Sequence, residues 1–196
     1  MPPLVPASAA LTRLIAAVLL IVLDLWSKAA VFAWLSPRPE GVIKFDTHGH
    51  PRYPILGDWL GFYLITNKGM AWGFDKLPPW LLVGGRCVAV LFLLWLVLTT
   101  PRGRRVLSAA LTLILAGAVG NLYDNLFLPP PNGASFGEVR DFIDVYFPMF
   151  DWHFPTFNVA DACISVGAIG LLGASFFGSE SAASDAAPAP PAPPAL

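Results

Sequence analysis

Charge is scarce in this chain. Of its 196 residues only 13% are charged, against roughly 25% in a typical soluble domain. The 12 basic and 13 acidic residues nearly cancel, to a net charge of −1. That excludes a cationic footprint for nucleic acid, and it leaves no acidic solvating tail. Cysteine is rarer still: Cys87 and Cys163 are the only two. Both lie in apolar runs, so a disulfide framework is excluded and the thiols read as small buried hydrophobes. Histidine is nearly missing as well. His48 and His50 stand two apart in a Gly/Pro loop and His153 stands alone, so no set of metal ligands forms and neither a metal nor another cofactor is expected.

Apolar residues are abundant, at 56% of the chain with a mean hydropathy of +0.63. They are gathered into blocks rather than spread at amphipathic spacing. A bilayer crossing needs about 20 such residues. Four blocks qualify: Leu11 to about Leu35, Trp80 to Leu98, Val106 to about Leu128, and Val159 to Phe177. The first outruns a cleavable signal core and carries Asp24 and Lys28 inside it, so it reads as a retained helix. The expected fold is an all-α membrane protein of four transmembrane helices, with a small extracytoplasmic β element between the first and second helices.

Basic residues beside the spans set the orientation. The loop between the second and third spans runs only from Thr99 to Arg105 and holds Arg102, Arg104 and Arg105, which places it in the cytoplasm. Four spans then put both termini inside. The five basic residues of segment 36–79 dilute this asymmetry without reversing it. The expected organisation is a cytoplasmic segment 1–10, one membrane domain 11–178 with outer segments 36–79 and 129–157, and a disordered Ala/Pro-rich cytoplasmic tail 179–196.

The outer segments carry structure signals of their own. Gly61 to Ile65 is aromatic and β-branched and leads through the turn Thr66-Asn67-Lys68-Gly69 into Met70-Ala71-Trp72-Gly73-Phe74, the pattern of a short hairpin. Tyr53, Trp59, Trp72, Trp80 and Trp152 lie near span boundaries, where aromatic rings anchor at the headgroups.

Polar groups in hydrocarbon are costly and therefore informative. Asp24 and Lys28 are four apart with the acid first, the spacing of a pair on one helix face. They read either as a relay or as a buried ion pair that fixes packing. Asn121-Leu122-Tyr123-Asp124 closes the third span and Asn158-Val159-Ala160-Asp161 opens the fourth. Two Asn-x-x-Asp motifs on antiparallel helices can bring two carboxylates to one depth, where a pair sharing a proton can activate water. The alternative is a capping box at Asn158 and Asp161, with Asp124 only marking the water interface.

Five ordered blocks carry a resemblance. Asp24-Leu25-Trp26-Ser27-Lys28, Asn67-Lys68-Gly69-Met70-Ala71-Trp72-Gly73, Gly117-Ala118-Val119-Gly120-Asn121-Leu122-Tyr123-Asp124, Val139-Arg140-Asp141-Phe142 and Phe157-Asn158-Val159-Ala160-Asp161 resemble the signature blocks of the bacterial lipoprotein signal peptidases, or signal peptidases II. This resemblance implies an intramembrane aspartyl endopeptidase at the periplasmic face of the inner membrane. Its substrates would be diacylglyceryl-modified prolipoproteins held in membrane lipid, and its inhibitor globomycin. On the resemblance, Asp124 and Asp161 are the catalytic pair; Asn67, Gly69, Asn121 and Asn158 line the substrate; and Asp24, Lys28 and Asp141 give structural support. Asp141 and Asp144, acidic and on the outer side, are the rivals for the catalytic roles and are assigned to structure because neither follows an Asn by three.

The chain departs from the family pattern in having Asn125 where an arginine usually follows Asp124, which makes Arg140 the candidate to replace that cation. Pro129 to Ser135 lengthens the next loop. The expected chemistry is one ionised aspartate taking a proton from water while a protonated one polarises the scissile carbonyl. Helix direction assigns the charge to Asp161, in a first turn, and the proton to Asp124, in a last turn. A small proton-coupled membrane transporter is the alternative function, disfavoured because the strongest acids sit at span ends rather than at the midplane.

Overall fold

A long apolar segment in lipid must satisfy its own backbone, and the helix is the local way to do so. In the computed structural model, which describes residues 6–35, 44–45, 51–67, 78–128 and 136–184, the helices are α1 (Ala7–Leu35), α2 (Pro79–Thr99), α3 (Arg105–Phe127) and α4 (Val159–Ser184). Three of them, α1, α2 and α3, are long and apolar enough to cross a membrane. The apolar part of α4 is Val159–Ala174, and the helix continues past Phe177 to Ser184. Pro79 opens α2 at a position where its missing N–H costs nothing.

Small residues set how the helices meet. An added Cβ at Gly117 would lie 2.3 Å from the carbonyl of Ala160, and one at Gly167 would lie 2.6 Å from Ile114 Cγ1. The pairing runs α3 antiparallel to α4 at near-backbone contact, the close approach that gives helices their attraction in lipid. Arg13 near the start of α1 donates to the carbonyls of Val97 and Thr100 at 2.7 and 2.8 Å, tying it to the far end of α2. An apolar seam of Val97, Leu111 and Leu115 joins α2 to α3.

One end of the bundle carries an antiparallel sheet of order β1-β2-β3-β4-β5: β1 (Lys44–Phe45), β2 (Pro51–Leu56), β3 (Leu60–Asn67), β4 (Val139–Phe147) and β5 (Trp152–His153). The sheet is therefore built from both long interhelical segments, not only from the one between α1 and α2 as the sequence suggested. Within the described residues β3 pairs with β2 and β4, from Leu60 opposite Val145 to Asn67 opposite Val139. Its expected hairpin partner, Met70 to Phe74, lies outside them, as do Trp72, His48 and His50. The aromatic and β-branched run Val139–Phe147 offers β3 a longer, half-buried partner. Val31, Leu35 and Phe142 form the buried cluster that seats this sheet on the end of α1, with Phe62 and Val159 packed against it. A buried Asp144, shared between Arg52 at 2.5 Å and His153 at 2.8 Å, fastens β2, β4 and β5 together.

Candidate active site

Helix ends and strand ends converge beneath the sheet. Asn158 caps α4: its Oδ1 accepts from the Asp161 N–H at 2.9 Å while Asp161 Oδ2 accepts from the Asn158 N–H at 3.2 Å, a reciprocal capping box. The other Asp161 oxygen accepts from Asn121 Nδ2 at 2.8 Å. Asn121 Oδ1 in turn accepts from Lys28 Nζ at 2.9 Å and from Asn158 Nδ2 at 3.2 Å. The capping and the active-site readings of the Asn158–Asp161 motif are thus one arrangement.

Lys28 is completely buried and Asp24 nearly so. They form the expected pair at 2.7 Å, and Asp24 Oδ1 also accepts from the Ala160 N–H at 2.8 Å. Asp24 therefore ties α1 to the first turn of α4. Gly120 makes room for it, since a Cβ there would sit 2.6 Å from Asp24 Oδ2.

Asp124, expected from sequence in the catalytic pair, and Asp141, expected as support, have different partners. Asp124 is caged by cations. Arg140 grips it through Nη2 at 2.7 Å and Nε at 3.2 Å, the Arg140 N–H adds a bond at 3.0 Å, and Lys28 Nζ stands 3.6 Å away. A carboxylate so held spends its lone pairs on these contacts. The forked guanidinium of Arg140, rather than the helix end, dominates the surroundings of Asp124.

Asp141, read from sequence as support, is buried beside Asp161 instead. Asn158 Nδ2 donates to its Oδ1 at 2.6 Å, and Asn67 hydrogen-bonds it from β3. Register explains the second contact: Asn67 faces Val139, and Asp141 is the next residue on that face of β4. Burial, reinforced by the charge of Asp161, pushes the Asp141 carboxyl up to about 7 despite the amide donors. The structure thus brings together Asn67, Asn121, Asn158, Asp141 and Asp161; Gly69 lies outside the described residues.

Sequence reasoning missed Arg86. It lies midway along α2, donates through Nη1 to Asn125 Oδ1, and feels the charges of both Asp161 and Asp141. Asn125 Nδ2 bonds the carbonyls of Gly137 and Glu138 at 2.7 and 3.1 Å, anchoring the approach to β4. The signal was available, for an arginine inside an apolar span is costly unless it has partners. Arg140 does meet Asp124 as expected, while Asn125 engages a second arginine from another helix.

A family model described as "Signal peptidase (SPase) II" matches residues 16–177. The chain belongs to that family. Among relatives, it is 34% identical to the lipoprotein signal peptidase of Acinetobacter baylyi over 82% of this chain and 79% of that protein. It is also 34% identical to that of Halalkalibacterium halodurans over 81% and 86%. A solved "bacterial membrane enzyme" structure, determined in meso, superposes with a TM-score of 0.66 over 92% of this chain and 95% of that one. At 22% identity that likeness bears on the fold alone. Membership in signal peptidase II makes the site one of peptide-bond hydrolysis, and neither the family nor the fold supports a proton-coupled transporter.

Proposed function

We propose that this chain removes signal peptides from diacylglyceryl-modified prolipoproteins as an aspartic endopeptidase whose proton-sharing pair is Asp141 and Asp161. Family membership supports the reaction. The observation that carries the pair is the convergence of three asparagines on these two carboxyls, one of which holds its proton up to about pH 7. Two acids that share a charge environment in this way divide into acid and base. Asp161, in the first turn of α4 with two N–H donors, is the ionised partner and takes a proton from water. Asp141, protonated, donates to the scissile carbonyl as the water oxygen bonds to its carbon; when the C–N bond breaks, the proton held by Asp161 passes to the leaving amine and the hydroxyl returns its proton to Asp141.

In this reading four helices cross the inner membrane, both termini are cytoplasmic, and the sheet end faces the periplasm. The diacylglyceryl chains stay in lipid and hold the scissile bond at helix-end depth. The helical signal peptide must unwind there, because a carbonyl inside an unbroken helix is already hydrogen-bonded. Asn67, Asn121 and Asn158 orient the acids and meet the unwound backbone, and globomycin competes for the same cleft.

Cleavage of a purified diacylglyceryl-prolipoprotein tests the assignment. Asp141→Asn and Asp161→Asn should each lower turnover by at least about a thousandfold while the protein still inserts and purifies. Substantial turnover in Asp141→Asn would overturn the pair.

A further inference from the structure

At the end of the bundle opposite the sheet, a cavity of about 720 Å³ opens between α1 and α3. Its mouth is lined by Ser8, Arg102 and Arg105, and its depth by Ala16, Leu20 and Leu113. Residues 8, 12, 16 and 20 recur at helical spacing on one face of α1, with 105, 109 and 113 on the facing side of α3. From Ser8 to Leu20 the groove runs about 18 Å along the helix axis, close to one leaflet of a hydrocarbon core of about 30 Å. None of its lining residues is acidic. Arg13 on the same wall is buried and bonded to the carbonyls of Val97 and Thr100, so it shapes the groove. The exposed Arg102 and Arg105 supply the charge at the mouth. Ser8 Oγ accepts from Arg102 Nη2, which holds that guanidinium over the opening.

Polarity therefore falls from cationic to apolar along a groove one leaflet deep. We infer that it is a binding site for an anionic phospholipid, with the phosphate on Arg102 and Arg105 and an acyl chain against Ala16, Leu20 and Leu113. Charge complementarity selects the headgroup, since juxtamembrane arginines attract anionic lipid by an amount that a zwitterion does not recover. The small side chains Ala16 and Ala109 leave the width that a chain needs. The site is remote from the aspartates and its occupant is not the peptide substrate.

Native mass spectrometry of the full-length protein in neutral detergent tests it, with phosphatidylglycerol, phosphatidylcholine of the same chains, and inorganic phosphate as probes. Phosphatidylglycerol should bind about tenfold more tightly than phosphatidylcholine, and Arg102→Gln with Arg105→Gln should erase that difference. Ala109→Phe keeps both arginines but fills the groove, and should weaken phosphatidylglycerol binding comparably. Inorganic phosphate should not displace the lipid. Equal binding of the two lipids by the unaltered protein would overturn the site, as would an undiminished preference in the double variant. Unchanged binding in Ala109→Phe, or displacement by phosphate, would overturn the lipid as its occupant.

Discussion

What separates Asp124 from Asp141 is their partners. Both are almost fully buried, yet a forked guanidinium and a lysine sit against the first, while burial, reinforced by a neighbouring carboxyl, opposes ionisation of the second. The proton on Asp141 has consequences of known sign. Its folded-state affinity for the proton exceeds the ordinary value of 3.8. Its contribution to stability is therefore full below that pH and is lost as pH rises through about 7. The proposed mechanism uses the same proton, so kcat/KM should fall along an alkaline limb near pH 7; a profile flat to pH 9 would show that Asp141 is not the acid. Infrared spectra at pH 6 should contain a protonated carboxyl band that survives in Asp124→Asn and vanishes in Asp141→Asn. Arg86 interacts by charge with both acids, and a cation beside a carboxyl disfavours its proton, so Arg86→Gln should move the alkaline limb to higher pH and Arg86→Lys should restore it. A purely structural Arg86 would alter stability and leave the limb in place.

Helices α3 and α4 meet at near-backbone distance. Gly117 lets α3 lie against the first turn of α4, and Gly120 gives Asp24 the space to reach the Ala160 N–H. Gly120→Ala should therefore push a buried carboxylate off its partners, lowering the unfolding temperature in detergent and cutting cleavage sharply. Gly103→Ala, where an added Cβ meets nothing within 4 Å, should leave both unchanged. Strand β4 is the other decisive element, since it delivers Arg140 to Asp124 and Asp141 to the Asn158–Asp161 cap while Phe142, the next residue, packs into the cluster that seats the sheet on α1. Truncating that ring in Phe142→Ala should cost about 3–5 kcal/mol of stability, measured by denaturant titration in mixed micelles.

At the scale of the whole molecule, the sheet with its aspartates occupies one end of the bundle and the Arg102, Arg104 and Arg105 loop the other. Orientation is tested with cysteines at Met149, 90% exposed on the turn between β4 and β5, and at Gly103, in a background lacking Cys87 and Cys163. An impermeant thiol reagent applied from the periplasm should label the first and spare the second, and the reverse would invert the bundle. The apolar blocks, the basic loop, the Asp24–Lys28 pair and the Asn158–Asp161 capping box were all legible in the sequence. Each depends on residues within a few positions of one another, and lipid forces the long apolar runs into helix whatever surrounds them. The acid that faces Asp161 was not legible. A rule requiring an Asn three residues before each catalytic Asp selects Asp124 and rejects Asp141, but the amides that serve Asp141 are Asn158 and Asn67, brought to it by the start of α4 and by β3. Arg86 likewise acquires its meaning from Asn125 and the two acids across the bundle. Local pattern determined where the chain turns and what it buries. Which carboxyl keeps a proton was decided by long-range pairing, because a pKa depends on the charges and donors that the fold brings within a few ångströms.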